Sequence, residues 1–362
     1  MLVSGDSWKG RKVLVTGHTG FKGGWLSLWL HRLGAEVTGF ALPAPTDPSF
    51  FEQTRLAELV RHIEGDVRDL AAVEAVIRET QPEMVFHLAA QPLVRYSYDA
   101  PVETFATNVM GTVHLLEACR KVDSVRGVVC VTSDKCYENR EWLWPYREAD
   151  PMGGHDPYSS SKGAAELVIS AYRRSFFQTG ARIASVRAGN VIGGGDWATD
   201  RLVPDIIRAL LAGQPPQIRN PASIRPWQHV LEALSGYLMI GQRLLAGHDA
   251  SACAWNFGPS DDDTQQVGWV VERMLEQWPG NIRWEQPSGI EPHEAVLLKL
   301  DSSKARTELG WRPRLRLQEA LGKVIEWHVA VAAGGDAREV SLRQLEQYEN
   351  SGETVVSEAR AA

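Results

Sequence analysis

Cysteine is scarce in this sequence, and its spacing shows no metal-ligand pattern. Only four of the 362 residues are cysteine, and none forms a Cys-x-x-Cys pair or a zinc-ligand spacing with histidine. We therefore expect the thiols to be reduced, and the sequence predicts no metal site. The four residues are Cys119, Cys130, Cys136 and Cys253.

The sequence also lacks a long apolar run and an excess of positive charge. No segment approaches the roughly 20 apolar residues that a membrane-spanning helix needs, and residues 1–12 contain no apolar run after their charges. We therefore expect a cytoplasmic protein without a membrane partner. The formal net charge of -7 argues against nucleic acid as a partner, although this sum does not reveal a local cationic pocket for a phosphate ligand.

The chain has the length and composition of a folded enzyme. Its length suggests two lobes, each large enough to bury a core, which favours an enzyme with a cleft over a small binding module. Hydrophobic residues make up 44% of the chain and charged residues 23%, near the averages for soluble globular proteins, so neither disorder nor a fibrous protein is indicated. Of the 13 tryptophans we expect most in the core and some in a cleft or interface.

Short β-branched runs alternate with helix-length amphipathic stretches from Lys12 onward. This alternation predicts an α/β fold, a Rossmann-type doubly wound parallel sheet with helices on both faces. The predicted strands are residues 13–15, 36–40, 84–88, 128–131 and 183–186. After about Val191 the pattern breaks into Gly- and Pro-rich loops and shorter helices, which predicts a smaller C-terminal substrate-binding lobe.

Changes in pattern divide the chain into three parts. We assign residues 8–190 to the sheet domain, with a return segment near 224–260, and residues 191–223 and 261–330 to the smaller lobe. Residues 331–362 form a C-terminal tail. Ligands of doubly wound sheets lie beyond the carboxyl ends of the strands, so functional residues are sought directly after each strand.

A glycine-rich turn follows the first predicted strand and precedes an apolar helix. The turn consists of Gly17, His18, Thr19, Gly20, Phe21, Lys22 and Gly23. Glycines tighten such a turn and let backbone N–H groups approach a pyrophosphate at the helix N-terminus, where the helix dipole favours negative charge. A turn that binds nothing is the alternative, but the position after the first strand favours nucleotide binding.

The end of the second strand does not distinguish NAD from NADP. The acid expected there for an adenosine ribose is missing from residues 40–43, and no arginine replaces it to bind a 2′-phosphate. Farther along, Asp66 and Val67 follow an apolar run, and Asp66 could accept a hydrogen bond from an adenine amino group. A solvated aspartate in a turn is an almost equal interpretation of Asp66.

Tyr158 and Lys162 form a Tyr-x-x-x-Lys pair at the start of a predicted helix. The spacing places phenol and ammonium on one helix face. A cation beside a phenol lowers its pKa from about 10 towards neutrality, so Tyr158 becomes a candidate proton acceptor from a sugar hydroxyl. The pair alone arises often by chance on ordinary helices. Here it follows the glycine turn, the segment 87–91 and Asn108 in that order, which favours the functional interpretation.

These motifs together resemble the extended short-chain dehydrogenase/reductase family. The resemblance rests on Thr16-Gly17-x-Thr19-Gly20-x-x-Gly23, His87-Leu88-Ala89-Ala90 and Tyr158-x-x-x-Lys162, and it covers the chain from Lys12 to about Pro313. It implies NAD as cofactor, a nucleoside diphosphate sugar in the C-terminal lobe, and a homo-oligomer, a dimer or a dimer of dimers, formed through paired helices. The implied cofactor contacts beyond the turn are Asp66, Val67, Leu88, Ala89, Ala90, Asn108, Tyr158 and Lys162.

The residues after the strand at 128–131 show which branch of the family the chain resembles. Epimerases have a serine or threonine here without an acid–base pair beside it. The 4,6-dehydratases have Thr-Asp-Glu in the dTDP-glucose type and Ser-Asp-Lys in the CDP-glucose type. This chain has Ser133, Asp134 and Lys135, and so looks like the CDP-glucose type, as do its segments 189–197 and 225–230. Taken alone, Asp134 and Lys135 are better interpreted as a solvated charge pair in a turn. Their position after Ser133 at the carboxyl end of a strand, and upstream of Tyr158, favours the functional interpretation.

The resemblance implies a loss of water with no net oxidation. Oxidation at C4, with Tyr158 as base and NAD as hydride acceptor, acidifies the C5 proton because the carbanion is then stabilised as an enolate. Elimination from C6 needs an acid and a base, and the resemblance assigns these roles to Asp134 and Lys135. Lys135 then has to be neutral part of the time, which requires partial burial or neighbouring cations. Return of the hydride to C6 gives a 4-keto-6-deoxy sugar nucleotide.

Candidate contacts to the substrate's diphosphate are Asn190, Arg201 and Arg225, because guanidinium groups match phosphate oxygens. Arginines in loops are more often solvated, which weakens the case for Arg201. The resemblance adds His293 as a nucleotide contact.

Three alternatives to the resemblance with the CDP-glucose type of 4,6-dehydratase stay open. A nucleoside diphosphate sugar 4-epimerase needs Ser133, Tyr158 and Lys162 but has no use for Asp134 and Lys135. Another NDP-glucose 4,6-dehydratase would differ in its nucleobase, which nothing in the sequence determines from first principles. A non-catalytic NAD-binding protein is disfavoured, because a pure binder has no use for a complete set of catalytic residues.

Overall fold

The computed structural model of the chain describes residue 3, residues 5–287 and residues 297–361, with the backbone alone for residues 352–361. The strands in these ranges are β1 (Lys12–Thr16), β2 (Glu36–Ala41), β3 (Arg61–Glu64), β4 (Met84–His87), β5 (Gly127–Val131), β6 (Arg182–Ala188), β7 (Asn190–Ile192), β8 (Ile224–His229), β9 (Ala254–Phe257) and β10 (Thr264–Gln266). The helices are α1 (Phe21–Arg32), α2 (Phe50–Gln53), α3 (Leu70–Thr80), α4 (Val94–Asp99), α5 (Pro101–Phe105), α6 (Gly111–Cys119), α7 (Pro157–Phe176), α8 (Leu202–Leu211), α9 (Val230–Leu245), α10 (Val267–Gln277), α11 (Leu317–Ala332) and α12 (Ala337–Ala361). Among these helices none is both long and apolar enough to cross a lipid bilayer.

Seven strands form one sheet in the order β3-β2-β1-β4-β5-β6-β9. Every neighbouring pair in this sheet is parallel. The order runs outward in both directions from β1 and β4, which confirms the predicted doubly wound Rossmann-type α/β fold. All five predicted strands correspond to strands of this sheet.

Alternate residues of the central strands enter two different hydrophobic cores. Val13 and Val15 of β1 belong to the cluster that includes residues of α1 and α9, whereas Leu14 belongs to the cluster that includes residues of α3 and α6. In β5, Val129 and Val128 divide in the same way. Because successive side chains of a strand face opposite sides, a sheet covered on both faces needs apolar residues at every position. These strands are therefore continuous apolar runs in the sequence.

A smaller lobe follows β6 and contains a second sheet, of order β10-β8-β7. Strand β8 is antiparallel to β10 and parallel to β7. Helices α8, α10 and α11 pack around this sheet, and Ile207, Val270 and Leu321 are completely buried between them. Between β8 and β10 the chain returns to the large sheet, where α9 covers one face and β9 forms an edge. Residues of both lobes therefore surround one cleft.

A buried carboxyl joins the C-terminal helix α12 to the rest of the protein. Glu232 of α9 accepts a hydrogen bond from the Tyr348 hydroxyl of α12 at 2.8 Å. It also accepts hydrogen bonds from the backbone N–H groups of Arg314 and Leu315, at 2.9 and 2.7 Å. Three separate parts of the chain thus meet at Glu232.

The pKa of Glu232 predicts a pH-dependent stability. Burial raises this pKa from its ordinary value of 4.5 to about 7, against the effect of the hydrogen-bond donors. When a carboxyl has a higher pKa in the folded chain than in the unfolded chain, its full contribution to stability is present at any pH below the unfolded pKa. This contribution is lost as the pH rises through the folded pKa. As the pH rises from about 5 to about 8, we expect the urea concentration at the unfolding midpoint to fall. The decrease should correspond to up to about 3 kcal/mol in the free energy of unfolding. The midpoint of Glu232→Gln should fall less. An equal fall in both proteins would contradict this explanation.

Candidate active site

The predicted glycine turn lies between β1 and α1. Gly17 has a φ of +76°, and a Cβ atom there would lie 2.6 Å from the amide nitrogen of Ala89. A Cβ atom on Gly23 would overlap the carbonyl oxygen of Gly17. Both positions require glycine because backbone approaches backbone there. Helix α1 begins at Phe21 without a side-chain cap from Gly20, so its first N–H groups are available to an anion.

One cleft of about 1850 Å³ runs along the carboxyl ends of the strands and into the smaller lobe. Small-molecule pockets usually measure about 300–1,000 Å³, so this cleft has room for two ligands side by side. The predicted residues that line it are Gly17, Thr19, Gly20, Phe21, Lys22, Gly23, Asp66, Val67, Leu88, Ala89, Ala90, Ser133, Asp134, Lys135, Tyr158, Lys162, Asn190, Arg201 and Arg225. The fold thus brings the predicted catalytic, cofactor and substrate residues around one space.

Two predicted cofactor residues, His18 and Asn108, lie behind the lining of the cleft. The His18 ring is completely buried, and its Nε2 lies 2.7 Å from Nδ1 of His62. Asn108 accepts a hydrogen bond from the backbone N–H of Gln91 at 2.9 Å and donates to the Ser161 hydroxyl at 2.8 Å. Asn108 therefore joins the segment after β4 to the catalytic helix α7. Both side chains support the cleft wall from behind.

Residues 133–135 form a turn directly after β5. The Ser133 hydroxyl accepts a hydrogen bond from the backbone N–H of Lys135 at 3.2 Å and donates to Oδ1 of Asp134 at 3.0 Å. Burial raises the pKa of Asp134, although Lys135 and Ser133 oppose this effect. The other carboxyl oxygen, Oδ2, is buried and makes no hydrogen bond within the described residues. A carboxyl with a raised pKa at the wall of a cleft suits a general acid.

Tyr158 and Lys162 lie one turn apart at the start of α7, as their spacing predicts. The helix begins at Pro157 and is capped by Asp156, which accepts hydrogen bonds from the backbone N–H of Ser159 at 2.9 Å and from its hydroxyl at 2.6 Å. A capping carboxylate and a proline at the first helical position determine where a helix begins. The cap therefore fixes the position of the phenol, one residue after the proline.

The pKa of Tyr158 differs from the expectation drawn from the sequence. Burial raises this pKa to about 12, and the hydrogen bond with the Ser133 hydroxyl opposes the rise only in part. Burial also lowers the pKa of Lys162 to about 8, and its ammonium donates to the Val131 carbonyl at 3.5 Å. The expected fall of the phenol pKa towards neutrality does not occur in the protein alone, because the cost of desolvating the phenolate exceeds the effect of nearby positive charge.

Cationic side chains line the cleft beside acidic ones, and the net charge of the chain is -7. Lys22, Lys162, Arg201 and Arg225 all line the cleft. Burial lowers the pKa of Lys22 to about 7, and the charges of Arg201 and Lys162 add to this effect. The Lys22 ammonium lies 5.5 Å from the centre of the Tyr237 ring. Lysine and arginine side chains at the wall of a cleft can bind a ligand that carries phosphate groups.

The three predicted diphosphate contacts lie on the side of the cleft that belongs to the smaller lobe. Asn190 begins β7, Arg225 lies in β8, and Arg201 is the N-cap residue of α8. Nη1 of Arg201 lies 3.3 Å from Oδ2 of the buried Asp196. This ion pair directs the guanidinium along the cleft wall, so Arg201 is not a freely solvated loop arginine. The predicted contact His293 lies outside the described residues.

A buried ion pair that sequence analysis does not identify supports the catalytic helix. Glu166 lies one turn after Lys162 and accepts two hydrogen bonds from Arg187 of β6, at 2.8 and 2.7 Å. The same carboxylate accepts hydrogen bonds from the hydroxyls of Thr132 and Ser185. The pair therefore fixes α7 against the ends of β5 and β6. Its only sign in the sequence is Arg187, a charged residue inside an otherwise apolar strand.

The end of the cleft beside β2 and β3 carries acidic side chains. Asp47 and Asp66 line this end, and segments 41–50 and 65–67 contain no lysine or arginine. Asp66 accepts hydrogen bonds from the backbone N–H and Nε of Arg68, at 2.8 and 2.7 Å. Asp66 also forms an ion pair with Arg68, which offsets its charge, and a carboxylate at this end could accept a hydrogen bond from an adenine amino group.

The fold and the cleft together define a class of protein. A doubly wound sheet, a glycine turn before α1, a Tyr-x-x-x-Lys pair and a second lobe with arginines at the cleft are the features of a dinucleotide-dependent enzyme that acts on a phosphorylated ligand. Within this class, residues 14–324 match the family model described as GDP-mannose 4,6 dehydratase. The chain therefore belongs to this family.

Individual relatives agree with this assignment. The chain is 54% identical over 353 residues to a CDP-glucose 4,6-dehydratase of Salmonella typhimurium, and the match covers 96% of this chain and 98% of that protein. The structure of a UDP-glucose 4-epimerase of Thermus thermophilus in complex with NAD superposes on this chain with a TM-score of 0.76 and 25% sequence identity. The superposition covers 88% of this chain and 98% of that chain. A dTDP-glucose 4,6-dehydratase of Bacillus anthracis in complex with NAD has a TM-score of 0.73 at 20% identity, with 88% and 97% covered, and shows the shared fold.

Proposed function

We propose that the protein is an NAD-dependent dehydratase that converts CDP-D-glucose to CDP-4-dehydro-6-deoxy-D-glucose. The observation that carries this proposal is the turn of Ser133, Asp134 and Lys135, which places a buried carboxyl of raised pKa in the same cleft as Tyr158. The full-length similarity to a CDP-glucose 4,6-dehydratase supports CDP-glucose as the substrate.

Several features of the cleft fit NAD. Backbone segments lie close together at Gly17 and Gly23, and the start of α1 has no side-chain cap. Asp47 and Asp66 line the end of the cleft beside β2 and β3, where we expect the adenosine of NAD. Lys162 lines the cleft and is proposed to bind the ribose of a nicotinamide nucleotide. When bound, NAD would supply a hydride acceptor for C4 and a hydride donor for C6, and its positive charge would lower the pKa of Tyr158.

The remaining chemistry belongs to side chains of this chain. Tyr158 accepts the proton of the C4 hydroxyl, to which Ser133 also hydrogen-bonds. Once C4 is a ketone the C5 proton is acidic, and Lys135 accepts it. Asp134 protonates the departing C6 hydroxyl, which leaves as water. Lys135 then returns a proton to C5, so the base is ready for another turnover.

The smaller lobe is proposed to hold the sugar nucleotide. We assign residues 191–223 and 261–330 to this lobe and residues 8–190 to the NAD-binding domain, with the return segment near 224–260 and a tail over 331–362. Strands β7 and β8, which carry Asn190 and Arg225 at these boundaries, pair in the sheet of the smaller lobe. Asn190, Arg201 and Arg225 would bind the diphosphate, because all three line the same cleft as the catalytic turn and guanidinium groups match phosphate oxygens. His293 remains a further candidate nucleotide contact.

Purified protein incubated with NAD and one of several nucleoside diphosphate glucoses tests this proposal. We expect CDP-glucose to lose one water molecule and to acquire a methyl group at C6, observed by mass spectrometry and proton NMR. The dTDP-, UDP- and GDP-glucose reactions serve as comparisons and are expected to be slower. A product of unchanged mass would identify an epimerase, and faster conversion of another nucleotide would overturn the choice of CDP-glucose.

An apolar surface supports the proposal that two copies of the chain associate. Val102, Phe105, Met110 and Leu167 are exposed on α5, α7 and the helical turn between α5 and α6, with Val102 83% exposed. Exposed apolar residues grouped on packed helices are typical of an interface. We propose a dimer through this surface, in which the paired helices of two copies bury these side chains.

The molar mass of a charged variant tests the dimer. The double variant Val102→Glu, Leu167→Glu would bury two charges in the interface, so we expect light scattering to show the mass of one chain instead of two. Leu211→Glu, at an exposed apolar residue of α8, is the control and is expected to keep the dimer mass. A double variant that keeps the mass of the unmodified protein would exclude this surface.

A cytoplasmic location is also proposed. Cys119, Cys130 and Cys136 are buried thiols without disulfide partners, and Cys253 is likewise unpaired. Unpaired buried thiols are typical of proteins that stay in a reducing compartment.

A further inference from the structure

The Glu166–Arg187 ion pair contacts both residues that flank the catalytic turn of residues 133–135. Thr132 precedes the turn, and its hydroxyl donates a hydrogen bond to Oε1 of Glu166 at 2.5 Å. Tyr137 follows the turn, and its hydroxyl accepts a hydrogen bond from Nη1 of Arg187 at 2.7 Å. All four side chains are buried. One ion pair therefore holds the chain on both sides of the turn.

Tyr137 is held at its ring as well as at its hydroxyl. The hydroxyl donates to Oδ1 of Asn256 in β9 at 2.7 Å, so it gives one hydrogen bond and receives one. Nδ2 of Asn256 donates in turn to the carbonyl oxygen of Tyr146 at 2.9 Å. The Arg187 guanidinium lies 5.0 Å from the centre of the Tyr137 ring, within the range of a cation–π contact. These contacts define a single position for Tyr137, two residues after Lys135.

The same ion pair is attached to the catalytic helix. On α7, Glu166 lies two helical turns after Tyr158 and one turn after Lys162. The helix also packs directly on the chain beyond the catalytic turn, because a Cβ atom on Gly163 would lie 3.1 Å from the carbonyl oxygen of Cys136. The position of the catalytic turn relative to the phenol of Tyr158 therefore depends on contacts made through this ion pair.

We propose that Tyr137 is a positioning residue for the elimination, which holds the end of the catalytic turn in place relative to the base on α7. This inference rests on the proposed dehydratase function. Tyr137 transmits the position of the ion pair to Lys135. It takes no proton itself, since its hydroxyl is occupied by Arg187 and Asn256.

The two halves of the reaction should depend on the Tyr137 hydroxyl to different extents. Oxidation at C4 uses Tyr158, whose helix keeps the Glu166–Arg187 ion pair when this hydroxyl is lost. The elimination uses Lys135 and the neighbouring carboxyl, which lie on the segment that the hydroxyl holds. A displacement of about 1 Å in a reacting group can cost about 10²-fold in rate. Loss of the hydroxyl should therefore slow the elimination and spare the oxidation.

Tyr137→Phe and Tyr146→Phe form a matched pair. The two rings are stacked with their centroids 5.1 Å apart, and both are buried. The Tyr146 hydroxyl accepts a hydrogen bond from the backbone N–H of Arg140 and donates to Oδ1 of Asn139. Each substitution therefore removes one hydroxyl with two hydrogen bonds from the same aromatic stack. Only Tyr137→Phe removes a contact of the ion pair.

Arg187→Lys tests the other end of the same hydrogen bond. Lysine keeps a positive charge beside Glu166 but has no planar fork that could also reach the Tyr137 hydroxyl. Removal of the charge altogether would leave Glu166 buried and unpaired, which destabilises the whole fold. We expect Arg187→Lys to share the defect of Tyr137→Phe.

A single turnover of CDP-glucose, with protein and NAD in excess, resolves the two steps. The rise in absorbance of reduced nicotinamide reports oxidation at C4, and its decay reports elimination with return of the hydride. For Tyr137→Phe we expect the rise to be nearly unchanged and the decay to be slower by about 10- to 100-fold. Exchange of the C5 hydrogen in deuterated water should slow as well, which locates the defect at Lys135. Tyr146→Phe should follow the unmodified protein in both phases.

The ratio of the two rates separates positioning from a purely structural role. A smaller folded fraction, measured by far-UV circular dichroism, lowers the amplitudes of both phases but leaves this ratio unchanged. An unchanged ratio in Tyr137→Phe and Arg187→Lys, or a slow decay in Tyr146→Phe, would overturn the proposal.

Calorimetry with CDP-glucose separates positioning from direct contact with substrate. A loss of affinity in Tyr137→Phe as large as its loss of rate would show such a contact and would also overturn the proposal. If the unmodified protein makes no 4-keto-6-deoxy product, the proposed dehydratase function itself fails, so the two failures are distinguishable.

Discussion

Asp134→Asn should carry out oxidation at C4 and then stop. The amide cannot protonate the departing C6 hydroxyl, so reduced nicotinamide is expected to accumulate on the protein while overall turnover falls by about 10²- to 10⁴-fold. The measurement is the absorbance of reduced nicotinamide during a single turnover with CDP-glucose. Asparagine keeps an oxygen that can accept the Ser133 hydrogen bond, so the turn itself should be preserved.

Lys135→Met is the companion variant for the other half of the elimination. It should also accumulate reduced nicotinamide, but exchange of the C5 hydrogen in deuterated water should be lost because the base is missing. Asp134→Asn is expected to keep this exchange. Unchanged turnover in Asp134→Asn would exclude aspartate as the acid, and C5 exchange at the parent rate in Lys135→Met would exclude lysine as the base.

Tyr158→Phe should abolish hydride transfer while substrate binding changes little. Phenylalanine has nearly the same shape but cannot accept the proton of the C4 hydroxyl, so we expect a loss of at least about 10²-fold in the rate of C4 oxidation. Rapid-mixing absorbance gives this rate, and calorimetry with CDP-glucose gives the affinity. Tyr172→Phe is the control, because Tyr172 lies on the same helix outside the lining of the cleft. Oxidation by Tyr158→Phe at a rate near that of the control would exclude the phenol as the base.

The large sheet could be predicted from the sequence because its physical cause acts locally. A strand that is buried on both faces has to be apolar at every position, and β1 and β5 satisfy this requirement over a few consecutive residues. The positions of Tyr158 and Ser133 relative to these elements follow from helix spacing and from the rule that ligands lie beyond strand ends. Such features depend on neighbours in the sequence, so one sequence is enough to identify them.

Features that depend on contacts between distant segments were not predictable in the same way. The pairing of Glu166 with Arg187 joins a helix to a strand, and either residue alone is an ordinary charged residue. His18 belongs to the glycine turn in sequence, but its side chain is buried against His62 of β3. The pKa of Tyr158 is another example, because spacing on a helix shows which charges are near but does not show how completely the phenol is removed from water.

Transfer of a hydrogen label from C4 to C6 tests the central claim most directly. CDP-glucose deuterated at C4 is incubated with the protein and NAD, and the product is analysed by NMR and mass spectrometry. We predict that the deuterium leaves C4, is held on the nicotinamide during the elimination, and appears in the C6 methyl group of the 4-keto product. A product that keeps its C6 hydroxyl and carries the deuterium at C4 would contradict the account and would identify an epimerase.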